Sequence, residues 1–257
     1  MPRYSRGSCK KPDISERGLG LAEFLLVHGS CHGAWCWRDM IPELAALGHT
    51  ARAIDMPSHG ADTTPIVDVT LESCRDAILA ASTPQTIILG HSWGGYPVSA
   101  AAEAAPDAMR AVIYLSAYVP RTGLSMIEMR RRAPRQLLLD AVEKSSDGLS
   151  YTARPDKVQD IFYHDCSPEQ LEYAIANLCP QPIRPQDTPI TLTERFDRVP
   201  KAYIRSLDDR AIPTEYQEEM SKVAAAKMRY TIDSSHSAFF SHPRELAEII
   251  DRIEEKI

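Results

Sequence analysis

Six cysteines are spread through 257 residues, yet no two form a Cys-x-x-Cys pair and no histidine set lies at zinc-finger spacing. That absence argues against a structural zinc site. The scatter of Cys9, Cys31, Cys36, Cys74, Cys166 and Cys179 fits free thiols in a reducing, cytoplasmic compartment. Long apolar runs are missing as well. Nothing is long enough to span a bilayer, and the first twenty residues lack the apolar stretch of a secretory signal. Residues 1–20 are polar and basic, and are expected to form a flexible leader. Basic excess is also absent: 29 Lys and Arg against 35 Asp and Glu give a net charge of -6, no footprint for nucleic acid or an anionic membrane surface. What remains is a protein for small molecules, with a homodimer left open as its assembly.

From Glu23 onward, short apolar runs alternate with amphipathic stretches, the pattern of a mostly parallel sheet flanked by helices. The expected strands are EFLLV, TARAID, TIILG, AVIYLS, KAYIRS and MRYTI, each rich in the branched or aromatic residues of a doubly buried strand. Helices are expected near Arg38–Leu47, Leu71–Ala80, Tyr96–Ala104, Thr214–Ala224 and Pro243–Ile257, the last capped by Ser241 with Pro243 in its first turn. The alternation breaks over residues 120–196, which hold two helix-like pieces and the proline-rich CPQPIRPQDTP. So long a stretch does not fit a plain loop and reads as a helical lid inserted into a core of residues 21–119 and 197–257.

The stretch TIILGHSWGGYP places Gly90-His91-Ser92-Trp93-Gly94 between a strand and a helix, where G-x-S-x-G marks a nucleophile elbow. A serine on so sharp a turn has strained backbone angles, and its neighbours must be small. Serine needs a base, and the base an orienting carboxylate, in the chain order serine, acid, histidine. The segment LDDRAIP follows the strand KAYIRS and DSSHSAFF follows MRYTI, so both groups fall at the carboxyl edge of late strands. His236 is the histidine in the right loop; Asp208, Asp209 and Asp233 compete as the acid. His91 is expected to point away from the site, and His242 to be a surface or capping residue. Backbone N–H groups of Trp93 and Ser30 are the expected oxyanion donors, Ser30 lying in the loop VHGSCHGAWCW after the first strand.

Competing assignments of the same residues are weaker. His28, Cys31, His32 and Cys36 fit no standard four-ligand metal pattern. Trp35 and Trp37 read as packing under the loop, and Met129-Arg130-Arg131-Arg132 as a solvated lid face, with an anionic substrate or partner patch as the minor alternative. Gly90 to Gly95 lacks the lysine of a phosphate-binding loop.

From FLLVHGSCHGAW through GHSWGG to SLDDRAIPTEYQ and SSHSAFF, the chain resembles the α/β-hydrolase superfamily, and within it the plant methylesterases of the salicylate-binding type and the hydroxynitrile lyases, with their bacterial members. The resemblance implies the α/β-hydrolase fold and a Ser92–His236–Asp209 triad, the acid being Asp209 because it precedes Ile212, Pro213 and Gln217. It also implies ester hydrolysis rather than cyanohydrin cleavage. Those lyases carry threonine after the first histidine of the oxyanion loop and lysine after the catalytic histidine; here stand Gly29 and Ser237, leaving no cation to stabilise cyanide. Trp93 replaces the leucine common after the nucleophile and should reshape the acyl pocket. Pocket walls are expected from Trp93, Tyr118, Met126, Phe162 and Ile212. The expected activity is cleavage of a small methyl, aryl or alkyl carboxylic ester without metal or organic cofactor, a lyase or a slow-turnover receptor on the same fold being the alternatives.

Overall fold

Thr86–His91 and Ala111–Leu115 are buried at every position, which only strands covered on both faces can be. A computed structural model describes residues 21–257, so the leader expected over residues 1–20 lies outside the described residues. The strands are β1 (Glu23–Val27), β2 (Thr50–Ile54), β3 (Thr86–His91), β4 (Ala111–Leu115), β5 (Val142–Lys144), β6 (Ser150–Ala153), β7 (Gln181–Pro182), β8 (Lys201–Ser206) and β9 (Arg229–Ile232). The helices are α1 (Met40–Ala46), α2 (Leu71–Ala80), α3 (Gly95–Ala104), α4 (Met126–Arg132), α5 (Pro155–Phe162), α6 (Pro168–Asn177), α7 (Glu194–Arg198), α8 (Thr214–Met220), α9 (Ala238–Ser241) and α10 (Pro243–Glu254).

Six strands form the main sheet in the order β2-β1-β3-β4-β8-β9, every neighbour parallel. The order reverses direction at β1, which pairs with β2 on one side and β3 on the other. Such a switch point opens a crevice at the carboxyl ends of the two strands that diverge from it. Helices α1 and α10 pack together, as do α2 and α3. Gly, Ala and Ser dominate α3, and Gly95 through Ala102 are all buried, because small side chains let this helix lie close against the strands around it. In α10 the spacing Leu246, Ile249, Ile250, Ile253 lays one apolar stripe on the core.

Helix α10 begins at Pro243, but Ser241 does not cap it. That serine closes the short α9, and the cap position falls to His242, whose side chain makes no capping bond. The insertion between β4 and β8 differs from the helical lid expected. Besides four helices it contains the antiparallel sheet β5-β6-β7, whose Ser150–Ala153 strand is central and pairs with a Gln-Pro dipeptide too short to read as a strand.

Candidate active site

Ser92 has φ +54°, the left-handed backbone expected of a side chain held at the tip of a sharp strand-to-helix turn. The turn closes only because its neighbours are small. A Cβ on Gly94 would lie 2.7 Å from the His28 carbonyl oxygen, and one on Gly29 would lie 2.9 Å from Ser92 Cβ. The second contact brings the loop after β1 against the serine, as the β1–β3 register, with Val27 opposite Gly90, requires. Among the described residues, the Ser30 and Trp93 amides donate to no protein acceptor.

Strands β8 and β9 deliver the other two groups side by side, with Ser206 opposite Ile232 at their ends. A chain of buried serines ties these ends together: Ser116 and Ser234 both donate to Ser206 Oγ, at 2.8 and 3.1 Å. Beyond it, His236 Nδ1 lies 2.7 Å from Asp209 Oδ2, with both residues buried. The carboxylate is held from every side. Its Oδ1 accepts from the Ala211 and Ile212 amides at 2.7 and 2.9 Å, and its Oδ2 also accepts from Gln217 Nε2 at 2.7 Å. Asp208, by contrast, is exposed and meets His164, and Asp233 is exposed.

Ser92 and His236 open onto one cavity with about 540 Å³ of atom-free space, its mouth included. Ser30, His32 and His91 border it near the serine; Tyr118, Met126, Phe162, Tyr151, Leu178 and Arg130 contribute further wall. Three of the five expected wall residues, Tyr118, Met126 and Phe162, are there. Trp93 and Ile212 are not among the lining residues. The Trp93 indole is fully buried and stacks on His59 at 5.7 Å, while Ile212 is fully buried beneath the Asp209 loop, to which its amide is bonded. His91 does not turn away from the site: its Nε2–H donates to the His236 carbonyl at 3.0 Å and its ring packs 4.5 Å from that imidazole. It thereby supports the loop carrying His236 from below.

Several buried imidazoles surround the serine in the neutral form. Burial holds His28 and His91 well below the ordinary value and pushes His32 down to about 4. His28 Nδ1–H donates to the Gly29 carbonyl and its Nε2 accepts from the Met56 amide, so it fixes the loop after β1. His32 Nδ1–H donates to the Ser30 carbonyl, and its Nε2 accepts from the Tyr163 hydroxyl of the insertion at 2.5 Å. The insertion grips the same loop again through Gln181 on the Cys31 amide and Gln186 on Ser30 Oγ. Trp35 stacks on His32, and neither Trp35 nor Trp37 lines the cavity. Cys31, Cys36, Cys74, Cys166 and Cys179 are free thiols.

A model of the alpha/beta hydrolase family matches residues 24–249. The chain belongs to this family. Esterase PIR7B of Oryza sativa subsp. japonica is 32% identical over 258 residues, covering 91% of this chain and 96% of that protein. Methylesterase 10 of Arabidopsis thaliana is 29% identical, covering 92% and 93%. Among solved structures, a pyrethroid hydrolase from Sphingobium faniae JZ-2 superimposes with a TM-score of 0.79 at 26% identity, covering 92% of this chain and 98% of that one. The mostly parallel sheet flanked by helices is therefore that of the alpha/beta hydrolase fold.

Two contributors were not assigned from the sequence. Gln217 served only as a landmark after Asp209, whereas its amide bonds the carboxylate; a polar residue one helical turn inside α8, facing the core, was the available signal. In the sequence Arg130 reads as part of a solvated basic run. Arg131 and Arg132 are exposed, but Arg130 follows Met126 by four residues and shares its face of α4, so both line the cavity. The expectation of a wholly solvated basic face is corrected for Arg130, while Ser237 stands directly after His236 as the sequence has it.

Proposed function

We propose that the chain is a carboxylic ester hydrolase in which Ser92, His236 and Asp209 cleave a small ester through an acyl-enzyme. The buried 2.7 Å contact between His236 and a fully bonded Asp209, opening with Ser92 onto one apolar cavity, carries the proposal. Asp209 accepts from Nδ1–H of His236, which leaves Nε2 unprotonated as the base. Ser92 Oγ bonds to the ester carbonyl carbon as His236 takes its proton, and the carbonyl oxygen becomes an oxyanion. The free Ser30 and Trp93 amides supply donors for that charge. On collapse the carbon–alkoxy bond breaks and the alcohol leaves with the proton from His236. Water, deprotonated by the same imidazole, then splits the acyl-enzyme into the carboxylic acid and free Ser92.

The insertion acts as a lid whose bonds to the loop after β1 hold the Ser30 amide in place. The relatives named as esterases support the same chemistry. Hydrolysis of a graded panel of p-nitrophenyl and aryl methyl esters tests the proposal, with Ser92→Ala and His236→Ala each expected to lose about a thousandfold or more in kcat/KM. Mandelonitrile in the same panel should release no cyanide. Cyanide release, or tight ligand binding that survives Ser92→Ala without ester turnover, would replace it with a lyase or a receptor.

A further inference from the structure

Among the described residues, Arg130 is a cation bordering the apolar cavity without a counter-charge. Arg130 lines the wall, its Nε is buried with no hydrogen-bond partner, and among the described residues no carboxylate is within ion-pair distance of it. Its neighbours on α4 behave differently: Arg131 and Arg132 face solvent, where their charges act on Glu128. A guanidinium half withdrawn from water with an unmet donor is a costly arrangement unless something else meets it. Tyr118 lies close enough to feel this charge, which opposes the rise that burial causes in its phenol pKa. Its hydroxyl also has no protein partner among the described residues, although Tyr118 lines the same cavity. Arg130 and Tyr118, each with an unmet donor among the described residues, therefore border together the cavity onto which the nucleophile opens.

Resting on the ester-hydrolase assignment above, we propose that Arg130, with the Tyr118 hydroxyl, binds a carboxylate on the substrate, so that the preferred esters are small and anionic, as in the half-ester of a dicarboxylic acid. A planar carboxylate suits this donor set, because a guanidinium takes both its oxygens in a fork. The remaining wall, from Met126, Phe162 and Leu178, suits the hydrocarbon between that carboxylate and the ester. Arg130 is a specificity-determining residue in this scheme, since the charge it meets takes no part in bond making or breaking.

The test compares monomethyl and dimethyl esters of succinic, glutaric and adipic acids, which set the two carboxyl groups at three spacings. In Arg130→Gln the ratio of kcat/KM for monoester to diester should fall by about 10- to 100-fold at the best length, the size of a lost charge-assisted hydrogen bond. Arg131→Gln, altering an exposed neighbour, should leave the ratio alone. An unchanged ratio in Arg130→Gln at all three lengths, with turnover intact, overturns the carboxylate site and leaves ester hydrolysis standing. Absence of both turnover and Ser92 labelling by a fluorophosphonate removes the hydrolase assignment itself, and this site with it. If labelling occurs but none of the six esters turns over, adipate should slow the labelling of the native protein and not of Arg130→Gln; no protection in the native protein rejects the site.

Discussion

Asp209 Oδ2 accepts from His236 Nδ1 and from Gln217 Nε2, both at 2.7 Å, while Oδ1 takes two backbone amides. Every partner is a donor, so the acid has to be a carboxylate with both oxygens free to accept. Asp209→Asn introduces an amide that must face one of these donors, and it also favours the wrong imidazole tautomer. Its kcat should fall by about a thousand- to ten-thousandfold, as for the corresponding change in other triads. A steady-state assay on the best ester of the panel measures it, and retention of a tenth of the activity would disqualify Asp209 as the orienting acid.

Gln217 should behave as a positioning residue. Its Nε2 also donates to the Ile212 carbonyl at 3.0 Å, and its Oε1 accepts from the Ser206 amide at 3.2 Å, linking α8 to the end of β8. Gln217→Leu leaves the buried Ile212 carbonyl without its donor, at a cost of about 1–3 kcal/mol in stability, whereas the Ser206 amide keeps Ser116 Oγ at 3.2 Å and Asp209 Oδ2 keeps His236. The expected kinetic pattern is a loss in kcat with little change in KM, because the amide touches the acid and not the cavity. Equal losses in the two constants would point to a collapsed pocket instead.

The strands and the serine turn were legible because they depend on local pattern: TIILG and AVIYLS are apolar throughout, and the glycines around Ser92 mark a turn that side chains would block. Asp209 needed more. Three acidic residues lie near the ends of β8 and β9, and spacing alone does not say which one turns inward. The small sheet β5-β6-β7 was hidden because its strands are two to four residues long and its pairing joins residues far apart in the chain. Arg130 was hidden by its neighbours. Three consecutive arginines look like one solvated patch, although helical rotation sends each to a different side of α4.

Gly29→Ala tests the closeness of the loop after β1 to the nucleophile. The added Cβ would lie 2.7 Å from His91 Nδ1 and 2.9 Å from Ser92 Cβ, and neither atom sits at the end of a flexible chain. Either the loop retreats, taking the Ser30 amide from the oxyanion, or Ser92 shifts. A drop in kcat of about a hundredfold is expected, the size of one lost oxyanion donor. Fluorophosphonate labelling should slow with it, and unchanged labelling and turnover would show that the loop yields freely.

Acid should destabilise the fold in a window set by the buried histidines. Burial pushes His32 down to about 4 from an ordinary 6.5, holds His28 and His91 well below it, and lowers His59. In the unfolded chain each takes a proton near 6.5, whereas in the folded protein His59 does so at lower pH and His28, His32 and His91 at much lower pH. The unfolded state therefore binds more protons below 6.5, so the stability these groups provide is complete above that pH and declines as the pH falls toward 4. Carboxylates such as Glu215, held at about 2 by Arg135 against an ordinary 4.5, act only at the lower end of this range. Urea midpoints at about pH 7.5, 6 and 5 should fall in that order, and in His32→Gln the decline should be shallower by roughly one proton. A midpoint that stays flat down to about pH 5 would mean that these imidazoles take up protons in the native state, and so are not held neutral around Ser92.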